Sequence, residues 1–152
     1  MGPLGRFEPP GAIMHEAPFN VLVVDDDTSV RHLILQVLER NGFASMEAAS
    51  GATGLELFQA NRDRIDLVIL DMVMPGMSGL DVGAELERQK PGVKILYISA
   101  HGASIAMESL RKQSAERVLL KPFTEQSLVE RLAHLLGSAD ASSEPSGCQS
   151  GS

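Results

Sequence analysis

Residues 21–38 read VLVVDDDTSVRHLILQVL, and the order of events inside this stretch sets the fold class. Four apolar residues, Val21 to Val24, follow one another without the polar alternation of a half-exposed strand, so they read as a strand buried on both faces. Three carboxylates, Asp25, Asp26 and Asp27, end the run. Beyond them Val30, Leu33, Ile34, Val37 and Leu38 share one face of a helix of about three turns, with Thr28 or Ser29 available as its cap and Gly42 as its stop.

Outward from this unit the same alternation continues between Phe19 and Gly137. Ile65 to Leu70, Val93 to Ile98 and Val118 to Leu120 are further short apolar runs, and Ala44 to Ala49, after the turn signal Asn41-Gly42, is a weaker strand candidate. Helical patterns lie between them: Ala52 to Ala60, Leu80 to Arg88, a weaker one carried by Ala103, Ala106, Met107 and Leu110, and a clear one carried by Leu128, Val129, Leu132, Leu135 and Leu136. Five strands alternating with five helices predict an α/β fold, with parallel strands joined by right-handed crossovers and helices on both faces of the sheet.

Both ends differ from this middle. Residues 1–18 carry Pro3, Pro9, Pro10 and Pro18 without apolar periodicity, and residues 2–5, GPLG, read as the remnant of a cleaved expression tag. Residues 138–152 hold no Val, Leu, Ile, Phe or Tyr, which predicts a flexible tail. The expected organisation is an N-terminal extension over 1–18, one domain over 19–137 and a disordered tail over 138–152.

Composition narrows the function. Across 152 residues, 43% hydrophobic, there is material for one core. With 13 basic and 20 acidic residues the net charge is -7, which opposes direct nucleic-acid binding. The lone Cys148 falls in the tail and cannot form an intrachain disulfide, so the composition reads as cytoplasmic. No apolar run approaches the roughly 18 residues of a membrane span. His15, His32, His101 and His134 share no ligand spacing and are expected at the surface.

In parallel sheets ligands bind beyond the carboxyl ends of the strands. The residues at those ends are Asp25, Asp26 and Asp27, then Asp71, Ser99 and Lys121. Carboxylates gathered there repel one another unless a cation sits among them, and a hard divalent ion such as Mg²⁺ suits oxygen donors and phosphate chemistry. A lysine ammonium and a hydroxyl supply what else phosphoryl transfer needs, and an aspartate can itself be the nucleophile. Asp27 reads as a helix cap or a solvated loop residue, and Met72, Met74 and Met77 as packing and loop residues rather than ligands of a soft metal.

The motifs LVVDDD at 22–27, LDMVMPGMSG at 70–79, YISA at 97–100 and LKPF at 120–123 together resemble the receiver domain of bacterial two-component response regulators, over about residues 20–136. The resemblance implies a flavodoxin-like (βα)5 three-layer sandwich with strand order 2-1-3-4-5. It also implies that Asp71 is the phosphoacceptor, that Asp26, Asp71 and the Val73 carbonyl hold Mg²⁺ with Asp25 acting through water, that Ser99 is the switch hydroxyl, and that Lys121 contacts the phosphoryl group ahead of a cis bond at Pro122. The implied partners are a histidine kinase or histidine phosphotransfer protein and an output domain or downstream protein, with the chain itself a monomer or weak homodimer and a phosphoacceptor rather than an enzyme in its own right. Many receivers place a Tyr or Phe three residues before the lysine, where this chain has Val118, which puts the usual aromatic readout in doubt.

A second resemblance competes. Asp25-Asp-Asp27 is similar to the opening of haloacid dehalogenase-type phosphatases, with Asp25 as nucleophile and Ser99 and Lys121 as strand-end partners. That family needs a further acidic pair after the lysine, which Glu125, Glu130, Asp140 and Glu144 do not supply at a strand end, and it leaves Asp71 unexplained. A receiver acting purely as a binding module is disfavoured by the full set of phosphorylation residues.

Overall fold

The computed structural model describes residues 18–100, 112 and 115–143, with side chains described as far as Gly137. The elements run β1 Asn20–Val24, α1 Thr28–Arg40, β2 Ala44–Ala48, α2 Gly51–Ala60, β3 Leu67–Asp71, α3 Gly79–Gln89, β4 Lys94–Ser99, a single 3-10 turn Ala115–Arg117, β5 Val118–Leu120 and α4 Glu125–Ser143. The weak helix expected around Ala103 to Leu110 lies outside the described residues, as do residues 1–17. All four strand pairings are parallel, and the sheet order is β2-β1-β3-β4-β5.

Strand alternation divides the core in two. On one face Val21, Val23, Leu67, Ile69, Leu96, Ile98 and Leu119 pack under Ile34, Val37 and Leu38 of α1 and Leu128, Leu132, Leu135 and Leu136 of α4. On the other, Leu22, Val24, Val68, Leu70, Ile95, Tyr97 and Val118 meet Phe58 of α2 and Val82 and Leu86 of α3. The three central strands are therefore covered on both sides, as their uninterrupted apolar runs predict. β2, at the edge, alternates between exposed and more buried residues.

One local expectation changes and another is decided between its alternatives. Leu33, grouped by periodicity with the α1 core face, is 45% exposed. The apolar stripe of α1 is wider than the strip of helix that touches the sheet, so its outer residue stays in solvent. Of the residues read as possible caps of α1, the structure uses Asp27 and neither Thr28 nor Ser29: its carboxylate accepts from the N–H groups of Ser29 and Val30. A carboxylate here satisfies two orphan donors and carries the charge that the helix N-terminus favours.

The last helix also runs on through Ser138 to Ser143, into the segment expected to be a tail. Its buried leucines anchor the preceding turns, and extending a formed helix through Ala139 and Ala141 costs little. Among the described residues no helix is long and apolar enough to cross a membrane.

Candidate functional site

β1 and β3 are neighbours, with Val24 opposite Leu70, so the residues that follow at their carboxyl ends lie side by side. Asp25, directly after β1, is 1% exposed; Asp71, the last residue of β3, is 5% exposed. With exposed Asp26 they form a group in which one carboxylate oxygen from each lies within 4.8 Å of the others.

Local structure holds each side chain in place. Asp25 Oδ1 accepts from the Asp27 N–H at 2.8 Å, so the same turn that aims Asp25 inward starts α1. Asp71 Oδ1 accepts from the Val73 N–H at 3.3 Å. The loop after Asp71 closes tightly: the Gly79 N–H donates to the Met72 carbonyl, and a Cβ on Gly79 would overlap the Asp71 carbonyl oxygen. Only glycine lets the start of α3 approach this closely. Met72 and Met74 are buried in the core and Met77 packs against it, in keeping with their reading as packing residues. Val73 stands 70% exposed at the mouth of the site.

Two chain-distant groups complete the edge. Lys121 Nζ lies 3.9 Å from Asp71 Oδ1, after β5 and ahead of a cis Lys121–Pro122 bond. Ser99, the last residue of β4, is fully buried, and its hydroxyl donates to the neighbouring Ala100 carbonyl rather than to a carboxylate.

Burial dominates the electrostatics. It pushes the Asp25 carboxyl up to about 6, helped by the negative charge of Asp71, while the Asp27 N–H and the Lys121 charge pull the other way. Asp71 is raised as well, chiefly by burial, against the Val73 N–H and Lys121. Of the two, Asp71 is the more readily ionised, because it has Lys121 at 3.9 Å. Asp25 Oδ2 is buried with no hydrogen-bond donor. An orphaned carboxylate oxygen beside two more carboxylates is the donor set that a hard divalent cation satisfies.

Sequence reasoning passed over Arg31 and Glu47, and over the strand neighbour of Tyr97. Arg31 and Glu47 adjoin the acidic turn, where Arg31 donates both to the Asp25 carbonyl and to Glu47. Tyr97, the chain's one tyrosine, lies opposite Val118 in the β4–β5 register and shares its core cluster. The aromatic ring at this end of the sheet thus sits on β4 instead of at position 118. Arg117 stacks over it at 5.9 Å and pairs with Glu87 of α3 at 3.2 Å. An apolar strand containing a tyrosine was visible in the sequence, but the pairing that puts it beside Val118 was not.

The response regulator receiver domain family model matches residues 21–133. The chain is 31% identical over 129 residues to the chemotaxis protein CheY of Treponema pallidum, covering 84% of this chain and 90% of that one. It is 33% identical over 119 residues to the transcriptional regulatory protein GlrR of Escherichia coli, matching 78% of this chain but spanning only 26% of that longer protein. Among solved structures, a response regulator receiver domain protein from Clostridium thermocellum superposes with a TM-score of 0.72 at 29% identity, covering 80% of this chain and 97% of that one.

The phosphatase reading, with Asp25 as nucleophile, is overturned by this family match and by the site itself. Asp25 is buried, and Asp71, which that reading left idle, belongs to the same carboxylate group with Lys121 3.9 Å away. Parallel sheet order, acidic edge and sequence kinship converge: the chain belongs to the response regulator receiver domain family.

Proposed function

We propose that Asp71 is the phosphoacceptor of this receiver, taking its phosphoryl group from a phosphohistidine on a histidine kinase or phosphotransfer protein. The observation that carries this reading is the meeting of Asp25, Asp26 and Asp71 within 4.8 Å, with Lys121 3.9 Å from Asp71, at the carboxyl edge of a parallel sheet. An Asp71 carboxylate oxygen attacks phosphorus, the P–N bond of the donor breaks, an acyl phosphate forms, and the departing imidazole takes a proton from solvent. Lys121 neutralises the phosphoryl oxygens. Ser99 turns its hydroxyl from the Ala100 carbonyl toward one of them.

Mg²⁺ fits the donor set through Asp26, Asp71 and the Val73 carbonyl, with Asp25 acting through water, and when bound it supplies charge neutralisation for the transferring group. Asp25 and Asp26 hold and orient the ion. The regulated partner is an output domain or a downstream protein, reached through the chain after Ser99; residues 101–111 lie outside the described residues.

The test is uptake of phosphate from acetyl phosphate, followed by intact-mass spectrometry. One phosphate per chain is expected with Mg²⁺ and none with Asp71→Asn, which keeps the side-chain size but lacks the nucleophilic charge. Undiminished phosphate on the Asn variant refutes the assignment.

A further inference from the structure

Arg31 stands in the first turn of α1 and folds back over the turn that carries Asp25 and Asp26. Its Nη1 donates to the Asp25 backbone carbonyl at 2.8 Å, and its Nε donates to Glu47 Oε1 on β2 at 2.7 Å. The Arg31 side chain is only 12% exposed, whereas Glu47 is 48% exposed. The phosphoryl chemistry proposed above uses neither residue. A surface ion pair contributes little by itself, but this guanidinium also satisfies a backbone carbonyl at the metal-facing turn.

The geometry is a clamp across three elements. β1 delivers Asp25, whose N–H donates to Ala48 of β2 and whose carbonyl accepts from Arg31 of α1, while Glu47, next to Ala48, holds the same guanidinium. The peptide between Asp25 and Asp26 is thereby gripped at its carbonyl, and that peptide sets the direction in which both carboxylates leave the backbone. A planar fork with two fixed donors suits this task; a flexible ammonium does not.

We propose that Arg31, braced by Glu47, is a positioning residue that orients the Asp25–Asp26 peptide for divalent-cation binding. This rests on the reading of the acidic group as a Mg²⁺ site. Arg31 acts through the backbone and touches neither the ion nor the phosphoryl group. Its loss therefore weakens Mg²⁺ binding about tenfold, the lower range for residues that orient metal ligands, while phosphorylation at saturating Mg²⁺ changes less than about twofold.

Calorimetric titration of the full chain with Mg²⁺ alone tests this, with thermal melting of each protein in EDTA alongside. Arg31→Ala is expected to raise the Mg²⁺ Kd about tenfold and Glu47→Ala about threefold. Arg31→Lys is expected to recover only part of the loss, whereas Glu47→Gln binds as the wild type does, because the amide oxygen still accepts from Nε. If Arg31→Ala does not fold, the exposed Glu47→Ala decides. Variants that melt lower yet bind Mg²⁺ with unchanged Kd show a merely structural pair and overturn the proposal. Failure of the wild type to bind Mg²⁺ is seen before any variant is measured, and it overturns the metal-site reading and this proposal together.

Discussion

In the absence of a divalent cation, Asp25 is a liability to the fold, and Asp25→Asn should stabilise the metal-free protein. The Asp25 carboxyl ordinarily titrates at 3.8, and burial beside Asp71 raises it to about 6. Above pH 6 the folded chain holds a buried carboxylate that the unfolded chain holds in water. Between 3.8 and about 6 the folded state keeps a proton that the unfolded state releases, so stability falls as pH rises through this window. A shift of about two units at 1.36 kcal/mol each sets a ceiling of about 3 kcal/mol on the cost at neutral pH. The Asn amide keeps the oxygen that accepts from the Asp27 N–H and places donors where Oδ2 has none, facing Asp71.

Urea unfolding in EDTA at constant ionic strength measures this. The variant should exceed the wild type by about 2–3 kcal/mol at pH 7.5, with the difference shrinking below about 1 kcal/mol near pH 4. Using the difference curve matters, because Glu85, held down to about 2 by Arg88 and Gln89, contributes an opposite slope at acid pH in both proteins. In saturating Mg²⁺ the order should reverse, since only the wild type retains its full set of carboxylates. A variant that is no more stable than the wild type at pH 7.5, or a difference that does not shrink toward pH 4, refutes the reasoning.

Further outcomes follow from the same geometry. Millimolar Mg²⁺ should raise the melting temperature of the wild type, because the ion binds the assembled carboxylates and not the unfolded chain, and Asp26→Asn should blunt that response in scanning calorimetry. Gly83→Ala should cost roughly 1–3 kcal/mol, because a Cβ there overlaps the buried Tyr97 hydroxyl; Tyr97→Phe in the same chain should recover part of the loss in urea unfolding. Addition of a beryllofluoride phosphoryl mimic should shift backbone amides from Ser99 to Ala106 more than Val118, which is 3% exposed and has one stiff torsion. NMR shifts gathered at Val118 with Ala100 to Ala106 unmoved would contradict that route.

Much of this protein was legible in local pattern. Uninterrupted apolar runs marked the central strands because burial on both faces removes polar alternation, and the ends of those runs located Asp25, Asp71, Ser99 and Lys121 because parallel strands all point their carboxyl ends to one edge. The motif resemblance supplied the strand order, which alternation alone leaves open.

What required the tertiary structure were relations between chain-distant groups. That Leu33 faces solvent while Ile34 packs on the sheet depends on how α1 lies across β1. Glu47 reaches Arg31 only because the β1–β2 register sets Val23 opposite Glu47, and Tyr97 stands beside Val118 only because β4 and β5 pair in that register. The raised pKa of Asp25 is likewise a product of assembly. A carboxylate's pKa answers to its burial and to charges a few ångströms away, and neither exists for an aspartate in an unfolded chain.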